Sequence, residues 1–411
     1  MTPPFFGRHK PNLIIHDTTL RDGEQAPGIA FSRESKVLIA KQLSRLGVTV
    51  IEAGFPCASP EHYESVKQIA QEAGPLMEGR EKLGQPAIIA AFARMLEKDI
   101  RRTYEAISYA PRHRLLVFSA ISDLHLKYKL CITRHECLSR IRQGLELATA
   151  LCNDVWLGLE DANRADPELI FEVVEICQEM GVKTLVIADT VGSSLPSEFG
   201  DYIQQVRSKI TDDRLVLGVH CHNDLGLATA NTLAAVQNGA RHVEVTISGI
   251  GERAGNTALE EVVMAIDSHP DSFPVTHAIN TKLLCETAAL VAKLGGFTIP
   301  QNKALVGRFV FTHESGIHQH GMLANRNTYE FIHPEDVGAT GGLVLGKNSG
   351  RHALRDRLLK LGYGEPTTYE LGLLFTKVKI LADSKPIVED DDLIKIIGKR
   401  PGGPDGEFHH S

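Results

Sequence analysis

The feature that most constrains the fold is a regular alternation of short apolar segments and longer amphipathic segments between residues 12 and 270. The stretch 32–46, for example, starts with a Ser-x-Glu pattern and is followed by Gly47, which are typical helix boundaries. Uninterrupted apolar strands separated by helices indicate a parallel sheet covered on both faces. The apolar segments are 13–15, 48–53, 88–92, 115–118, 155–159, 184–188, 215–219 and 243–247.

Eight strand-helix units within about 250 residues are the number and the length typical of a TIM (β/α)8 barrel. We therefore predict an α/β protein whose barrel domain spans residues 1–270. A doubly wound open sheet is the alternative. No GxGxxG pattern follows a predicted strand, so nothing in the sequence supports a dinucleotide-binding version of that alternative.

The alternation of apolar and amphipathic segments ends after residue 270. Residues 296–350 are rich in Gly, His and Asn with little periodicity, which predicts a mixed linker subdomain over 271–345 that lacks regular structure for much of its length. Helical periodicity returns at 349–361 and 369–382, which predicts a small helical C-terminal subdomain over 346–398. The polar, Gly/Pro-rich tail 399–411 is expected to be disordered.

Composition excludes several classes of protein. The net charge of −7 offers no basic field for nucleic acid. No apolar run approaches the roughly 20 residues of a membrane span, and the N-terminus lacks an apolar signal core. The seven cysteines are scattered without a CxxC pair, which indicates reduced thiols. We therefore expect a cytoplasmic protein that binds neither membranes nor nucleic acid.

Acidic and basic side chains follow the first and seventh predicted strands directly. In a TIM barrel the active site lies at the C-terminal ends of the strands, where Arg21 and Asp22 would meet His220 and His222. Residues two apart in an extended segment point to the same side, so the two imidazoles can face the barrel mouth together. Two imidazoles and a carboxylate can bind a divalent ion such as Mg, Mn or Zn.

Three further strand ends carry polar residues. Each of the pairs Glu160-Asp161 and Asp189-Thr190 could be a helix N-cap, and the glycine-rich segment 249–256 could be a plain turn. Five strand ends that bring carboxylates, imidazoles, a guanidinium and hydroxyl groups to one mouth nevertheless indicate a polyfunctional metal site.

Five sequence blocks resemble a known family. The blocks 17–25 (DTTLRDGEQ), 220–226 (HCHNDLG), 249–256 (GIGERAGN), 313–319 (HESGIHQ) and 345–352 (LGKNSGRH) resemble the 2-isopropylmalate and homocitrate synthases of the DRE-TIM metallolyase superfamily. The likeness runs from about residue 12 to about 396. It implies an acyltransferase of amino-acid biosynthesis that condenses acetyl-CoA, its co-substrate, with a small-molecule 2-oxo acid.

The resemblance also implies roles for residues of the barrel. Metal ligands are expected at Asp22, His220, His222 and Asn256. Arg21 is expected to stabilise charge on the keto oxygen, and Thr190 to bind the carboxylate of the 2-oxo acid. Gln25 is expected to line the pocket, and Glu160 to act beside acetyl-CoA.

Outside the barrel, His318 and Tyr329 resemble a catalytic pair that enters the barrel mouth of a neighbouring subunit, which implies a homodimer with shared active sites. His318 is the candidate base, because the unperturbed pKa of histidine lies near neutral pH. One departure lies beside it, where His320 occupies the position of the family's usual acid.

The choice of 2-oxo acid stays open at the level of sequence. A 2-isopropylmalate synthase is expected first, followed by a homocitrate synthase using 2-oxoglutarate or a specialised malate synthase of secondary metabolism. An acyl-CoA lyase is disfavoured, because the loop 249–253 lacks the cysteine of hydroxymethylglutaryl-CoA lyases. Trp156 favours an alkyl or aromatic substrate if it faces the pocket. The chain also leaves no room for the leucine-binding domain of full-length 2-isopropylmalate synthases, so leucine feedback is not expected.

Overall fold

The computed structural model describes residues 10–343, 345–385 and 387–398. The predicted disordered tail, 399–411, lies outside these residues. The chain forms two compact units, Met1–Ile299 and Pro300–Ser411. No helix among the described residues has both the length and the apolarity needed to cross a bilayer.

The first unit is a closed barrel of eight parallel strands, each hydrogen-bonded to the next along the chain, with β8 closing on β1. The predicted TIM barrel is therefore confirmed, and each predicted strand overlaps an observed one. The strands are β1 (Ile14–Asp17), β2 (Val50–Glu52), β3 (Ile88–Arg94), β4 (His113–Ala120), β5 (Val155–Glu160), β6 (Thr184–Asp189), β7 (Val216–Cys221) and β8 (His242–Val245).

Several barrel helices begin at a residue whose side chain caps the first turn. At the start of α1 the side chain of Ser32 accepts a hydrogen bond from the Ser35 amide, and Gly47 ends the helix with φ +99°. The helices of this unit are α1 (Arg33–Leu46), α2 (Pro60–Glu72), α3 (Glu97–Ile107), α4 (Asp123–His125), α5 (Arg134–Leu151), α6 (Pro167–Met180), α7 (Pro196–Lys209), α8 (Ala228–Gln237), α9 (Leu259–Ser268) and α10 (Leu284–Gly295).

The barrel interior is apolar on one side and polar on the other. An apolar cluster that includes Leu116, Trp156 and Val186 fills the side of β2 to β6. On the opposite side the register places Glu244 of β8 beside both His16 of β1 and His220 of β7. Charged and imidazole groups are therefore buried directly beneath the strand ends where the site was predicted.

The second unit contains two short parallel strands and four helices among its described residues. The expectation that 296–350 largely lacks regular structure is wrong at one important place, because α11 carries His318 there. This helix buries the polar side chain of Gln319, which bonds to the His313 carbonyl, Ser349 and the Gly350 amide. The elements are β9 (Thr312–His313), α11 (Gly316–Ala324), β10 (Gly342–Leu343), α12 (Arg351–Lys360), α13 (Thr368–Ala382) and α14 (Asp390–Ile397).

Candidate active site

Three of the predicted metal ligands meet at the barrel mouth. The Nε2 atoms of His220 and His222 are 3.1 Å apart, and they lie 3.3 and 3.7 Å from Oδ2 of Asp22. All three side chains are buried and line the cavity at the C-terminal ends of the strands. The structure therefore brings together residues that the sequence separates by about 200 positions.

This spacing fits a divalent cation. Ligand atoms about 2.1 Å from one ion are separated by about 3.0 Å in an octahedral arrangement and about 3.4 Å in a tetrahedral one. The observed separations of 3.1, 3.3 and 3.7 Å lie close to these edge lengths. A second group, His16, His242 and Glu244, also has its ligand atoms close together. Unlike the first group, its two histidines do not line the cavity, so they are not open to substrate.

Asn256, the fourth predicted ligand, lies in contact with the same carboxylate. Its Nδ2 donates to Oδ2 of Asp22 at 2.6 Å, and its buried Oδ1 has no hydrogen-bond partner among the described residues. Glycines make this approach possible, since a Cβ on Gly251 would lie 2.6 Å from Asn256 Oδ1. An unsatisfied buried amide oxygen is costly unless a donor or a cation reaches it.

Two buried glutamates, which the sequence analysis did not single out, support this site. Glu244 accepts from Nδ1 of His220 at 2.8 Å, and Glu52 accepts from Nε of Arg21 at 2.7 Å. Arg21 also pairs with Asp22 at 3.1 Å. With both histidines neutral, as metal ligands are, three carboxylates and one guanidinium leave two uncompensated negative charges, which a divalent cation would balance. The signal for both glutamates was a charged residue within a short, fully buried strand.

The pKa values of the ligand group reflect this negative environment. Burial opposes ionisation of Asp22, but the charge of Arg21 and the hydrogen bond to His220 hold the pKa of its carboxyl well below the usual range. Burial likewise opposes protonation of His220, yet hydrogen bonds to Asp22 and Glu244 raise its pKa to about 10. Burial and the neighbouring His220 lower the pKa of His222 to about 4. The negative charge that attracts a proton to His220 also attracts a cation, which takes the place of that proton when it binds.

The remaining predicted residues of the barrel line the same cavity, which has a volume of about 330 Å³. Glu160 ends β5 and binds Nζ of Lys129 through both oxygens, at 2.6 and 2.7 Å. Thr190 follows β6, and its hydroxyl accepts from the Asp161 amide at 2.8 Å. Gln25 lies in the loop after β1 and also lines the cavity. Lys129 is a pocket residue that the sequence analysis missed.

The wall of the cavity opposite the ligand group is aromatic. Trp156 faces the barrel interior, where it packs in the apolar cluster and lines the cavity, so it faces the pocket, as the interpretation in favour of an alkyl or aromatic substrate requires. Phe92 and Phe118 line the cavity beside it, and their rings stack at a centroid distance of 4.3 Å.

His318 and Tyr329 both lie in the second unit. Their rings pack with centroids 4.2 Å apart, and His313 lies 6.3 Å from His318. Tyr329 is 43% exposed, so it is not a core residue. Two adjacent, exposed polar rings are available to contact another surface, and their catalytic role stays a prediction.

Comparison with known proteins agrees with this geometry. Residues 12–291 match the family model described as HMGL-like, and residues 305–386 match the model described as homocitrate synthase post-HMGL domain-like. The chain belongs to the 2-isopropylmalate synthase and homocitrate synthase family.

Similar members of this family are named 2-isopropylmalate synthases. The protein of Carboxydothermus hydrogenoformans is 48% identical over 92% of this chain and 72% of its own length. Those of Ruminiclostridium cellulolyticum and Pyrococcus furiosus are each 46% identical over 96% of this chain, covering 75% and 77% of their own lengths. The chain is therefore an enzyme of the acyltransferase type that characterises this family.

Solved structures show the same barrel at much lower identity. The hydroxymethylglutaryl-CoA lyase of Pseudomonas aeruginosa superposes with a TM-score of 0.59 at 20% identity, covering 71% of this chain and 95% of the lyase. The lyase of Brucella melitensis gives 0.56 at 19% identity, covering 70% and 99%. At this identity the likeness establishes the fold alone.

Proposed function

We propose that this enzyme joins the methyl carbon of acetyl-CoA to the keto carbon of a 2-oxo acid with an apolar side chain, as in the formation of 2-isopropylmalate from 2-oxoisovalerate. Hydrolysis of the thioester then releases CoA and a 2-alkylmalate. The observation that carries this proposal is the convergence of Asp22, His220, His222 and Arg21 in a cavity whose far wall is apolar.

The ligand group defines where the 2-oxo acid binds. A divalent cation held by Asp22, His220 and His222, with Asn256 as a fourth ligand, would supply Lewis-acid polarisation of the keto group. Thr190 places a hydroxyl in the same cavity for the substrate carboxylate. We propose Mg, Mn or Zn as the metal, because mixed nitrogen and oxygen donors bind each of these ions.

Arg21 stabilises the charge that develops on the keto oxygen during carbon-carbon bond formation. Its Nε is fixed by Glu52 and its Nη1 by Asp22, so the guanidinium is oriented before substrate binds. Such preorganised donors act strongly in a site from which water is excluded.

A base must remove a proton from the acetyl methyl group. We assign this role to His318, assisted by Tyr329, in a homodimer in which the pair of one subunit serves the barrel mouth of its partner. Their mutual contact and exposure support the assignment. Glu160, held by Lys129 at the rim, acts beside the acetyl group. We expect the dimer to work in the cytoplasm, where acetyl-CoA is available to it.

The experiment is CoA release from acetyl-CoA, followed with a thiol reagent, across a panel of 2-oxo acids with Mg or Mn and with a chelator control. We expect release with 2-oxoisovalerate that requires the metal and is abolished in Asp22→Ala. The exposed residue Asp271 provides a matched control, because Asp271→Ala removes a carboxylate outside the cavity. Release with 2-oxoglutarate alone would instead indicate a homocitrate synthase. No metal-dependent release with any acid would refute the proposal.

A further inference from the structure

The aromatic wall of the cavity contains two stacked phenylalanine rings. Phe92 on β3 and Phe118 on β4 stack with an interplanar angle of 17°, and both rings remain partly exposed within the cavity. The guanidinium of Arg21 lies over the Phe92 ring at 4.7 Å. Partly exposed rings in a concave site are the surfaces with which an apolar ligand makes contact.

Trp156 and Gly158 form a flat floor beside this aromatic wall. A Cβ on Gly158 would lie 2.2 Å from Cη2 of Trp156, so only glycine at this position allows the indole to occupy its observed place. The neighbouring strand adds Val186 and the small side chain of Ala188. The indole edge and the missing side chain at 158 therefore create a smooth apolar slot next to the exposed ring of Phe118.

The slot and the ligand group lie on different strands of the same mouth. The ligand group belongs to the ends of β1 and β7, whereas the slot is built by β3, β4, β5 and β6. A 2-oxo acid that binds through its keto and carboxylate oxygens at the ligand group has one remaining substituent, its side chain. That substituent is directed across the mouth towards the slot.

We propose that the pocket accepts 2-oxo acids whose side chain ends in a flat aromatic ring, as in phenylpyruvate, and converts them with acetyl-CoA into 2-(arylmethyl)malates. This inference rests on the proposed condensation. Aromatic rings gain specific packing energy against other rings, which an isopropyl group does not. An additional buried carbon in an apolar pocket changes kcat/KM by about tenfold or more, so the larger side chain benefits wherever the slot admits it.

Charge in the cavity disfavours a second carboxylate on the substrate. Each cation that lines the cavity is already paired with a carboxylate. Both oxygens of Glu160 bind the Lys129 ammonium. Arg21 pairs with Glu52 and Asp22, and Arg253 pairs with Asp224. A dicarboxylic 2-oxo acid would have to break one of these pairs or bury its distal carboxylate against Phe118 and Trp156. Either outcome is costly.

The first test compares kcat/KM of the full chain with phenylpyruvate, 2-oxoisovalerate and 2-oxoglutarate at saturating acetyl-CoA and Mg or Mn. We expect phenylpyruvate to equal or exceed 2-oxoisovalerate. A value for phenylpyruvate more than tenfold below that for 2-oxoisovalerate would overturn this proposal and leave the condensation intact. Loss of release with every acid would overturn both.

A binding measurement separates recognition from turnover. Trp156 is the single tryptophan of the chain, so intrinsic indole fluorescence reports on the slot alone. The expected product 2-benzylmalate should shift this fluorescence at lower concentration than 2-isopropylmalate does. The reverse order of affinities would contradict the proposal.

Two variants test whether the residues of the slot determine the preference for phenylpyruvate over 2-oxoisovalerate. Phe118→Leu should lower the ratio of kcat/KM for phenylpyruvate over 2-oxoisovalerate roughly three- to tenfold, because it removes one ring contact. Gly158→Ala should lower the same ratio by displacing the indole. The matched control is Phe171→Leu on α6, outside the cavity, which should leave the ratio unchanged. An unchanged ratio in both slot variants would refute the assignment.

Discussion

The Nδ1 atom of His220, a candidate metal ligand, lies 2.8 Å from Oε2 of Glu244, and both side chains are buried. A carboxylate in this position fixes the tautomer and orientation of a ligating imidazole and raises its basicity. We therefore expect Glu244→Gln to weaken Mn²⁺ binding about 10- to 100-fold, measured by calorimetric titration. Glu172→Gln, an exposed position on α6, is the control. Equal affinity in Glu244→Gln and wild type would contradict a supporting role for Glu244.

Arg21 depends on the geometry of its guanidinium. Its Nε and Nη1 reach Glu52 and Asp22 at 2.7 and 3.1 Å, an arrangement that one ammonium cannot reproduce. Arg21→Lys should lower kcat by about 10²- to 10³-fold with little change in KM for acetyl-CoA. Arg33→Lys, which alters an exposed pair with Glu61, should leave both constants unchanged. A loss confined to KM would show that Arg21 contributes only to ground-state binding.

Much of the barrel was predictable because its strands are continuous apolar segments and its helices carry boundary signals, as at Ser32 and Gly47. Helix α11 was not, because its buried face depends on Gln319 rather than on an apolar stripe. Hydrophobic periodicity cannot detect a helix that is fixed by the hydrogen bonds of one buried amide.

The residues of the candidate site likewise divide into those that the sequence predicts and those that it does not. Asp22 follows β1, and His220 and His222 lie at the C-terminal end of β7, so the barrel topology alone predicts that they meet. Glu244 lies within β8, and the register between β7 and β8 sets its partner, His220. Glu52 ends β2, and its partner Arg21 lies in the loop after β1, whose course the sequence does not specify. The slot beside Trp156 depends on a rotamer that only Gly158 permits, and a linear sequence does not specify it.

Asp17 at the end of β1 gives a pH dependence whose sign can be worked out. Burial, with smaller effects of Glu52 and Glu260, raises the pKa of its carboxyl from 3.8 to about 7. The folded state therefore binds a proton that the unfolded state has released, and stability falls as pH rises from about 4 through about 7.

Replacing this carboxyl should remove that dependence. Between pH 5 and pH 8 the free energy of unfolding of Asp17→Asn, relative to wild type, should rise by about 2–3 kcal/mol, because each pKa unit corresponds to about 1.4 kcal/mol. Urea denaturation at the two pH values measures the change. Asp271→Asn, in the exposed 3-10 helix Pro270–Ser272, should show no such rise. A parallel pH dependence in Asp17→Asn and wild type would show that Asp17 is ionised in the folded protein.

Complementation between variants tests whether the active site is shared in a homodimer. Asp22→Ala damages the barrel mouth and His318→Ala removes the candidate base, so each variant alone should be inactive. If each mouth receives His318 from the partner, a co-purified heterodimer of the two contains one intact site and should show about half of wild-type CoA release. A heterodimer of Asp22→Ala with His220→Ala is the control, because both of its mouths are damaged in every arrangement. Equal inactivity of the two heterodimers would place His318 and Asp22 of one site on the same chain.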